Sequence, residues 1–406
     1  PWAGALRMTD GEGKDVPVQV LEKRVQGENT TLRVVFMAEG VPSLGYKLYR
    51  VIPAENAASG PESVRAGANE LENAFLKVRL DPKTGWIESL YDKAAKREVL
   101  AGPGNVLEAI TDEPESMSAW ELGLKGTAGR TGDGGASIEI VEGGPVRAVL
   151  RVKTRFRDSA FEQDLTLYRG LARLDCRMRL DWQERNIMIK AAFPVAVNAP
   201  AARFEIPYGS ISRPADGTEV PALRWIDVSE QSGEYGAALL NDSKYGFDVK
   251  GGVMRMSVVH GATSPDPEAD RGRHELLYAI LPHRGDWKGA EVTRRGMELG
   301  NPLIARVPLI HGGTLAKAYS FIRVGPANVV LSALKKEMGY AERGLILRIY
   351  EIRGEKTEAK IEFPWKVEAQ EVDLIERPSG KTIGLGTSIT IPLAPYEIKT
   401  IRVEKK

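Results

Sequence analysis

The stretch LDCRMRLDW puts Leu174, Cys176, Met178, Leu180 and Trp182 on one side of an extended chain and Asp175, Arg177, Arg179 and Asp181 on the other. A strict period of two marks an antiparallel strand with one face in a core and one in water. It limits the fold strongly, because a helix would scatter the same apolar residues around its circumference. The pattern recurs. In VRAVLRVKTRF, Val146, Ala148, Leu150 and Val152 alternate with Arg147, Arg151 and Lys153. FEQDLTLYRG follows with Phe161, Leu165 and Leu167 in similar phase and Gly170 closing a turn. LILRIYEIRG and YEIKTIRVEK repeat it near the C-terminus, and glycines and prolines fall mostly between such runs.

Long amphipathic helices are scarce. DWKGAEVTRRGMELGNP is the best candidate, with Asp286 as N-cap and Gly300, Asn301 and Pro302 as a stop. VVLSALKKEMG reads better as a strand from Val329 to Leu334 than as a helix. PYGS and KYGF, at Tyr208 and Tyr245, read as tight corners in which the glycine takes positive φ. NDSKYGFDVKGG, from Asn241 to Gly252, reads as a hairpin connection whose polar side chains cap their own backbone. The expected fold is all-β in three blocks: a small N-terminal β domain over 1–55, a large block over 56–320 entered through the link SGPESVRAGA (Ser59 to Ala68), and a terminal β-sandwich over 321–406.

Several function classes are excluded by composition. The net charge is +1 and no run of Lys or Arg marks a nucleic-acid footprint. Cys176 is the one cysteine, so neither an internal disulfide nor a cysteine-only zinc knot is expected, which suits a reducing compartment. No stretch approaches the roughly 18 apolar residues of a membrane helix. PWAGALRMTD does not read as a signal peptide, and the Pro1-Trp2 opening reads as a cut inside a longer protein. The glycine-rich GPGNVL and RTGDGGAS fit no phosphate-binding loop and are read as turns.

The densest chemistry lies in PDPEADRGRHELLYAILPHRGDW, Pro265 to Trp287. Asp270 and His274 are four apart, as helix-borne metal ligands would be, but Gly272 interrupts and ELLYAILP is strand-like. Pro265 to His274 is therefore read as a polar loop, Leu276 to Leu281 as strand core and Pro282 to Trp287 as a turn. No metal site is expected in this chain. Carboxylates such as Asp112, Glu113, Asp266 and Glu275 are too numerous for spacing to select a catalytic pair, and none is expected. Trp120, Trp225, Trp287 and Trp365 are candidates to stack on sugar rings, with Trp120 the best placed because its loop is acidic and proline-containing. Trp182 is expected in the core.

Longer strings carry a family likeness. LENAFLKVRLDPKTGWIESLYDKAAKREVL (Leu71 to Leu100), FEIPYGSISRP (Phe204 to Pro214), RWIDVSE (Arg224 to Glu230), YGAALLNDSKYGFDVKGGVMRMSV (Tyr235 to Val258), PDPEADRGRHELLYAILPH and PLAPYEIKTIRV occur in collinear order. Together they resemble the C-terminal β-domain region of glycoside hydrolase family 38, the α-mannosidases, in the branch shared by cytosolic, vacuolar and bacterial enzymes. Two places depart from the family pattern. Ser118 in TDEPESMSAWELG stands where an Asp is expected, and PADGTEVPAL before Arg224 is shortened.

The resemblance implies an antiparallel supersandwich, galactose-mutarotase-like, flanked by smaller β-sandwich domains. It implies a retaining hydrolase of terminal α-mannosides whose nucleophile, acid and zinc belong to an N-terminal barrel followed by a helical bundle. The zinc cofactor is thus expected in the missing catalytic domain, and no catalytic residue in this chain. The chain's implied role is to support the barrel and lend loops to the sugar pocket. Candidate substrate-binding residues are Asp112, Trp120, Asp266, Asp270, Arg273 and His274. Implied partners are a mannoside or oligosaccharide and the missing barrel and bundle, with no nucleic acid and no membrane. A homo-oligomer is left open and a cytoplasmic location is expected. The alternatives are a stand-alone carbohydrate-binding β protein, or a mutarotase-like epimerase using His260, His274 and Glu275 as acid and base.

Overall fold

The computed structural model describes residues 5–54, 64–308, 311–339 and 344–406. The Pro1-Trp2 opening and the first half of the Ser59 to Ala68 link lie outside the described residues. Alternation in the sequence becomes a nine-stranded antiparallel sheet. Its strands run, edge to edge, Ser137–Gly143, Arg147–Phe156, Ser159–Tyr168, Leu174–Trp182, Gly272–Arg284, Tyr235–Asn241, Trp225–Ser229, Ala201–Ile206 and Gly209–Pro214. Cys176, Met178 and Trp182 face inward and are buried, while Arg177 and Arg179 face out.

A six-stranded sheet packs on the inner face, ordered Leu124–Arg130, Val106–Asp112, Ile187–Pro194, Val253–Val259, Gly246–Lys250 and Val220–Pro221. Leu107, Ile189, Phe193, Met254 and Met256 meet Leu165, Cys176 and Ile280 in one core. At its centre a closed polar ring joins the two sheets. The Tyr278 hydroxyl donates to Asn105 Oδ1 (2.6 Å), Gln163 Nε2 donates to the Tyr278 oxygen (3.0 Å), and Asn105 Nδ2 donates to Gln163 Oε1 (3.3 Å). Burial pushes the Tyr278 phenol well above its ordinary pKa, so it stays a neutral donor. Tyr278→Phe should cost about 1–3 kcal/mol, because it strands buried polar atoms of Asn105 and Gln163. A lower urea midpoint at unchanged slope would show it.

The terminal sandwich has its own core around Leu347, Ile361, Val367 and Ile401. VVLSALKKEMG begins with a strand, Val329–Lys336, as expected. The helix differs from expectation. It spans Val292–Gly300, not from Asp286, and Glu291 precedes it in a left-handed conformation with φ 55°. Asp286 instead closes a separate turn, its Oδ1 accepting from Gly289 N (2.9 Å). That turn lets Trp287 stack on Trp225 with ring centroids 5.5 Å apart, both buried beneath the helix with Val292 and Leu299. Neither tryptophan is free to meet a sugar. Trp365 packs against the terminal core.

Two turn readings are also corrected. Tyr208 itself takes the left-handed conformation (φ 61°), and neither Gly209 nor Gly246 does. Edge-on packing of the Tyr208 ring against Tyr350 fixes this corner (5.1 Å). Asn241 to Gly246 is not a hairpin connection but a crossover from one sheet to the other. Asn241 Oδ1 holds it by accepting from Ser243 N and Lys244 N (3.0 and 2.6 Å). The hairpin lies further on, at Gly251 and Gly252, both at positive φ.

Candidate functional site

Val106–Asp112, Ile187–Pro194 and Val253–Val259 are antiparallel neighbours. The loop after Asp112, the residues before Ile187 and the loop after Val259 therefore emerge at one end of the six-stranded sheet. Asp112 is 2% exposed, the last residue of its strand. Its Oδ1 accepts from Gly123 N (2.6 Å) and its Oδ2 is hydrogen-bonded to His260 Nε2. Gly123 is required here, since a Cβ would sit 2.3 Å from the Pro114 nitrogen. Asn186, at φ 54°, ties the strands together: its N–H donates to Gly261 O (2.8 Å) and its carbonyl accepts from Asp112 N (2.9 Å). Asn is among the few residues that tolerate this conformation.

Ser118 Oγ accepts from both Thr263 N and Ser264 N (2.9 Å each), clasping the 113–123 loop to the 260–271 loop. Asp270 Oδ2 accepts from Gly261 N (2.9 Å), and Asp266 Oδ1 from Glu268 N (2.9 Å). Above the clasp, Trp120 is 70% exposed, beside exposed Met117 and Leu122. Ser118→Ala should speed amide exchange at Thr263 and Ser264 about tenfold, the loss of about 1.4 kcal/mol expected for two stranded donors. Ser118→Asp should keep the protection, because a carboxylate can accept the same two bonds.

Of the six residues singled out from the sequence, Asp112, Trp120, Asp266 and Asp270 meet at this end. Arg273 and His274 do not lie in the loop. The strand begins at Gly272, not Leu276, because the pairing with Leu174–Trp182 continues to Gly272 opposite Trp182. Alternation then sends the two side chains to opposite faces. Arg273 lies on the outer face in register with Asp181. His274 lies opposite Leu180, and its Nε2–H donates to the Asp270 carbonyl (2.6 Å). The strand also runs past Pro282 to Arg284. Beyond Ile280 it pairs on one side only, so the missing proline N–H costs no ladder bond.

Residues the sequence reading did not assign to this end matter as much. Ser118 and Asn186 are its clasps. His260 is the partner of Asp112, 148 residues away. No local signal could have found that pair. The epimerase set fails to converge: Glu275 is bound to Arg177 on the outer face (2.7 Å), His274 faces inward and His260 is held by Asp112.

The zinc implied by the family likeness can be tested against the donors present. A catalytic zinc takes about three protein ligands. Among the described residues no three His, Cys, Asp or Glu side chains converge. The His260–Asp112 and His283–Asp227 contacts (the latter 2.7 Å) are pairs, with no third His, Cys, Asp or Glu ligand beside either among the described residues. These residues do not fit the ion.

Comparison with known proteins bears on the whole chain. Residues 71–268 match the profile described as the glycosyl hydrolases family 38 C-terminal domain, and residues 328–401 the family's C-terminal beta sandwich domain. Alpha-mannosidase 2C1 of Mus musculus is 30% identical over 385 residues, covering 89% of this chain and 36% of that protein. An alpha-mannosidase of Saccharomyces cerevisiae is 26% identical over 378 residues, covering 82% of this chain and 34% of that protein. The chain thus spans about a third of the length of the curated relatives it matches. A solved family 38 structure from Enterococcus faecalis superposes with a TM-score of 0.80 at 17% identity, over 98% of this chain and 52% of that one.

Proposed function

The chain belongs to glycosyl hydrolase family 38, as its C-terminal β region, and we propose on that premise that it is the non-catalytic part of a retaining α-mannosidase acting on terminal α-mannosides. The observation that carries the reading is the collinear match over 89% of the chain to a protein named an alpha-mannosidase, at only 36% of that protein's length. The nucleophile, the acid and the zinc then belong to an N-terminal barrel, which a helical bundle joins to this region.

The chain's part is to support that barrel and to shape the sugar pocket. Exposed apolar side chains favour the first role. Leu44, Leu48 and Phe321 lie exposed where Phe321 N donates to Leu44 O (3.1 Å), and the adjoining segment exposes Leu303, Ile304, Val307 and Leu315. Such surface is what a docked domain covers. The clasped loops favour the second role. Trp120 offers a ring to a pyranose face, and Asp266 and Asp270 offer acceptors to hydroxyls. Asp112 acts through His260, which it orients from below. Arg273 and His274 flank the loop where it enters the sheet. The lone, buried Cys176 accords with a cytoplasmic protein.

The test is hydrolysis of an aryl α-mannoside. Full-length protein should turn it over and the 406-residue chain should not. Turnover by the chain alone would overturn the reading. Asp270→Ala in the full-length enzyme should lower kcat/KM for oligomannosides about tenfold, ~1.4 kcal/mol of transition-state stabilisation. Unchanged kinetics would remove that loop from the pocket.

A further inference from the structure

The outer face of the nine-stranded sheet carries a trough of about 1070 Å³, just above the usual range for ligand sites. Its walls come from the ends of five adjacent strands and the turn at 134–136, and the register orders the side chains of four of those strands in rows. In one row Lys153, Glu162, Arg179 and Glu275 stand side by side, alternating in sign. This row is satisfied: Arg179 pairs with Glu162 (2.8 Å) and Lys153 with Glu139 (3.3 Å). One step nearer the strand ends, the row reads Arg155, Ala160, Asp181, Arg273.

Ala160 breaks the ladder. Arg155 has no acid opposite it and, among the described residues, reaches only the Asp158 carbonyl, at 3.5 Å. Arg273 makes no ion pair or hydrogen bond with any described residue. Asp181 accepts from Gln183 Nε2 (2.6 Å) and keeps its remaining lone pairs. Two guanidinium groups and a carboxylate therefore surround a hollow floored by a methyl group. The arginine strands are three strand spacings apart, about 14 Å.

The charge pattern selects the ligand. A simple anion would meet Glu162, Asp181 and Glu275, and a cation would meet the arginines. A neutral polyol satisfies both, since each hydroxyl accepts from a guanidinium and donates to a carboxylate. We propose that this trough binds neutral oligosaccharides, with Arg155, Asp181 and Arg273 as the hydroxyl contacts. Phe161, the one Phe, Tyr or Trp among the described residues lining the trough, is turned into the core, so binding lacks a stacking platform and is weak. The proposal does not depend on the α-mannosidase reading, because its readout is binding by this chain itself.

Isothermal titration of the 406-residue chain with α-mannotetraose, with maltotetraose and with the anionic tetragalacturonate tests it. A neutral probe should bind with Kd on the order of 1 mM, and the anionic one at least about tenfold more weakly. Arg273→Met should weaken the neutral probe about tenfold. Ala160→Glu fills the hollow while giving Arg155 a cross-strand partner, so it should weaken binding as much with Tm unchanged or higher. The proposal is overturned by no binding of either neutral probe, by tighter binding of the anionic probe, or by unchanged Kd in both variants.

Discussion

Replacing Lys190 with methionine should destabilise the chain by about 3–5 kcal/mol, the range found when one partner of a buried ion pair is removed. Lys190 is 1% exposed, on the outer face of the six-stranded sheet. Its Nζ is paired with Glu219 and with Asp248 (2.6 Å to Oδ2). Arg255 holds the other Asp248 oxygen (2.7 Å), and Ser257 Oγ donates to Glu219 Oε1 (2.5 Å). Methionine keeps the volume but leaves Glu219 facing a buried surface with no counter-charge. Adding Glu219→Gln to Lys190→Met should recover part of the loss. Urea unfolding of the three variants measures both effects, and equal stability of Lys190→Met and the parent would refute this account of the cluster.

The second large effect is expected at Glu351. This carboxylate is fully buried and accepts hydrogen bonds from Asn328 Nδ2 (3.0 Å) and from the backbone N–H groups of Arg353 (2.7 Å), Gly354 (2.7 Å), Glu355 (3.1 Å) and Tyr396 (3.1 Å). It folds two loops of the terminal sandwich around one point. Tyr396, so placed, accepts from Arg203 Nη2 of the large sheet (2.7 Å). Glu351→Ala strands these donors together and should cost at least about 3 kcal/mol, since bonds to charged groups contribute about 1.5–3 kcal/mol each and are not additive. Glu351→Gln should cost less but not nothing, because its amide offers one acceptor oxygen where two are used. Trp365 fluorescence follows the terminal sandwich, and an unshifted melting curve in Glu351→Ala would refute the assignment.

Both sites bear on how much of the molecule was legible in its sequence. The segment PADGTEVPAL before Arg224, read from the sequence as shortened, supplies Glu219 to Lys190 in the fold. Lys190 itself sits in an otherwise apolar run, IMIKAAF, where a charge signals a buried partner but not which one. Ser118 is likewise conspicuous for replacing an expected acid. Its function as a double acceptor depends on the distant Thr263 and Ser264. The helix was legible as a helix, but Asp286 was misplaced as its cap, because a polar turn and a helix start share the same residue preferences.

The sequence by itself determined the all-β class, the inward faces of strands such as Leu174–Trp182, and the family to which the chain belongs. Alternation is a local property, readable without knowing the neighbouring strand. Tertiary structure alone decided that His260 meets Asp112, that Arg273 and His274 part to opposite faces, that Trp225 and Trp287 are core, and that Ala160 opens a gap in a charged ladder. Each of these depends on register between strands far apart in the chain. A one-residue slip would reverse every face, and it is packing of the whole sandwich that fixes the register.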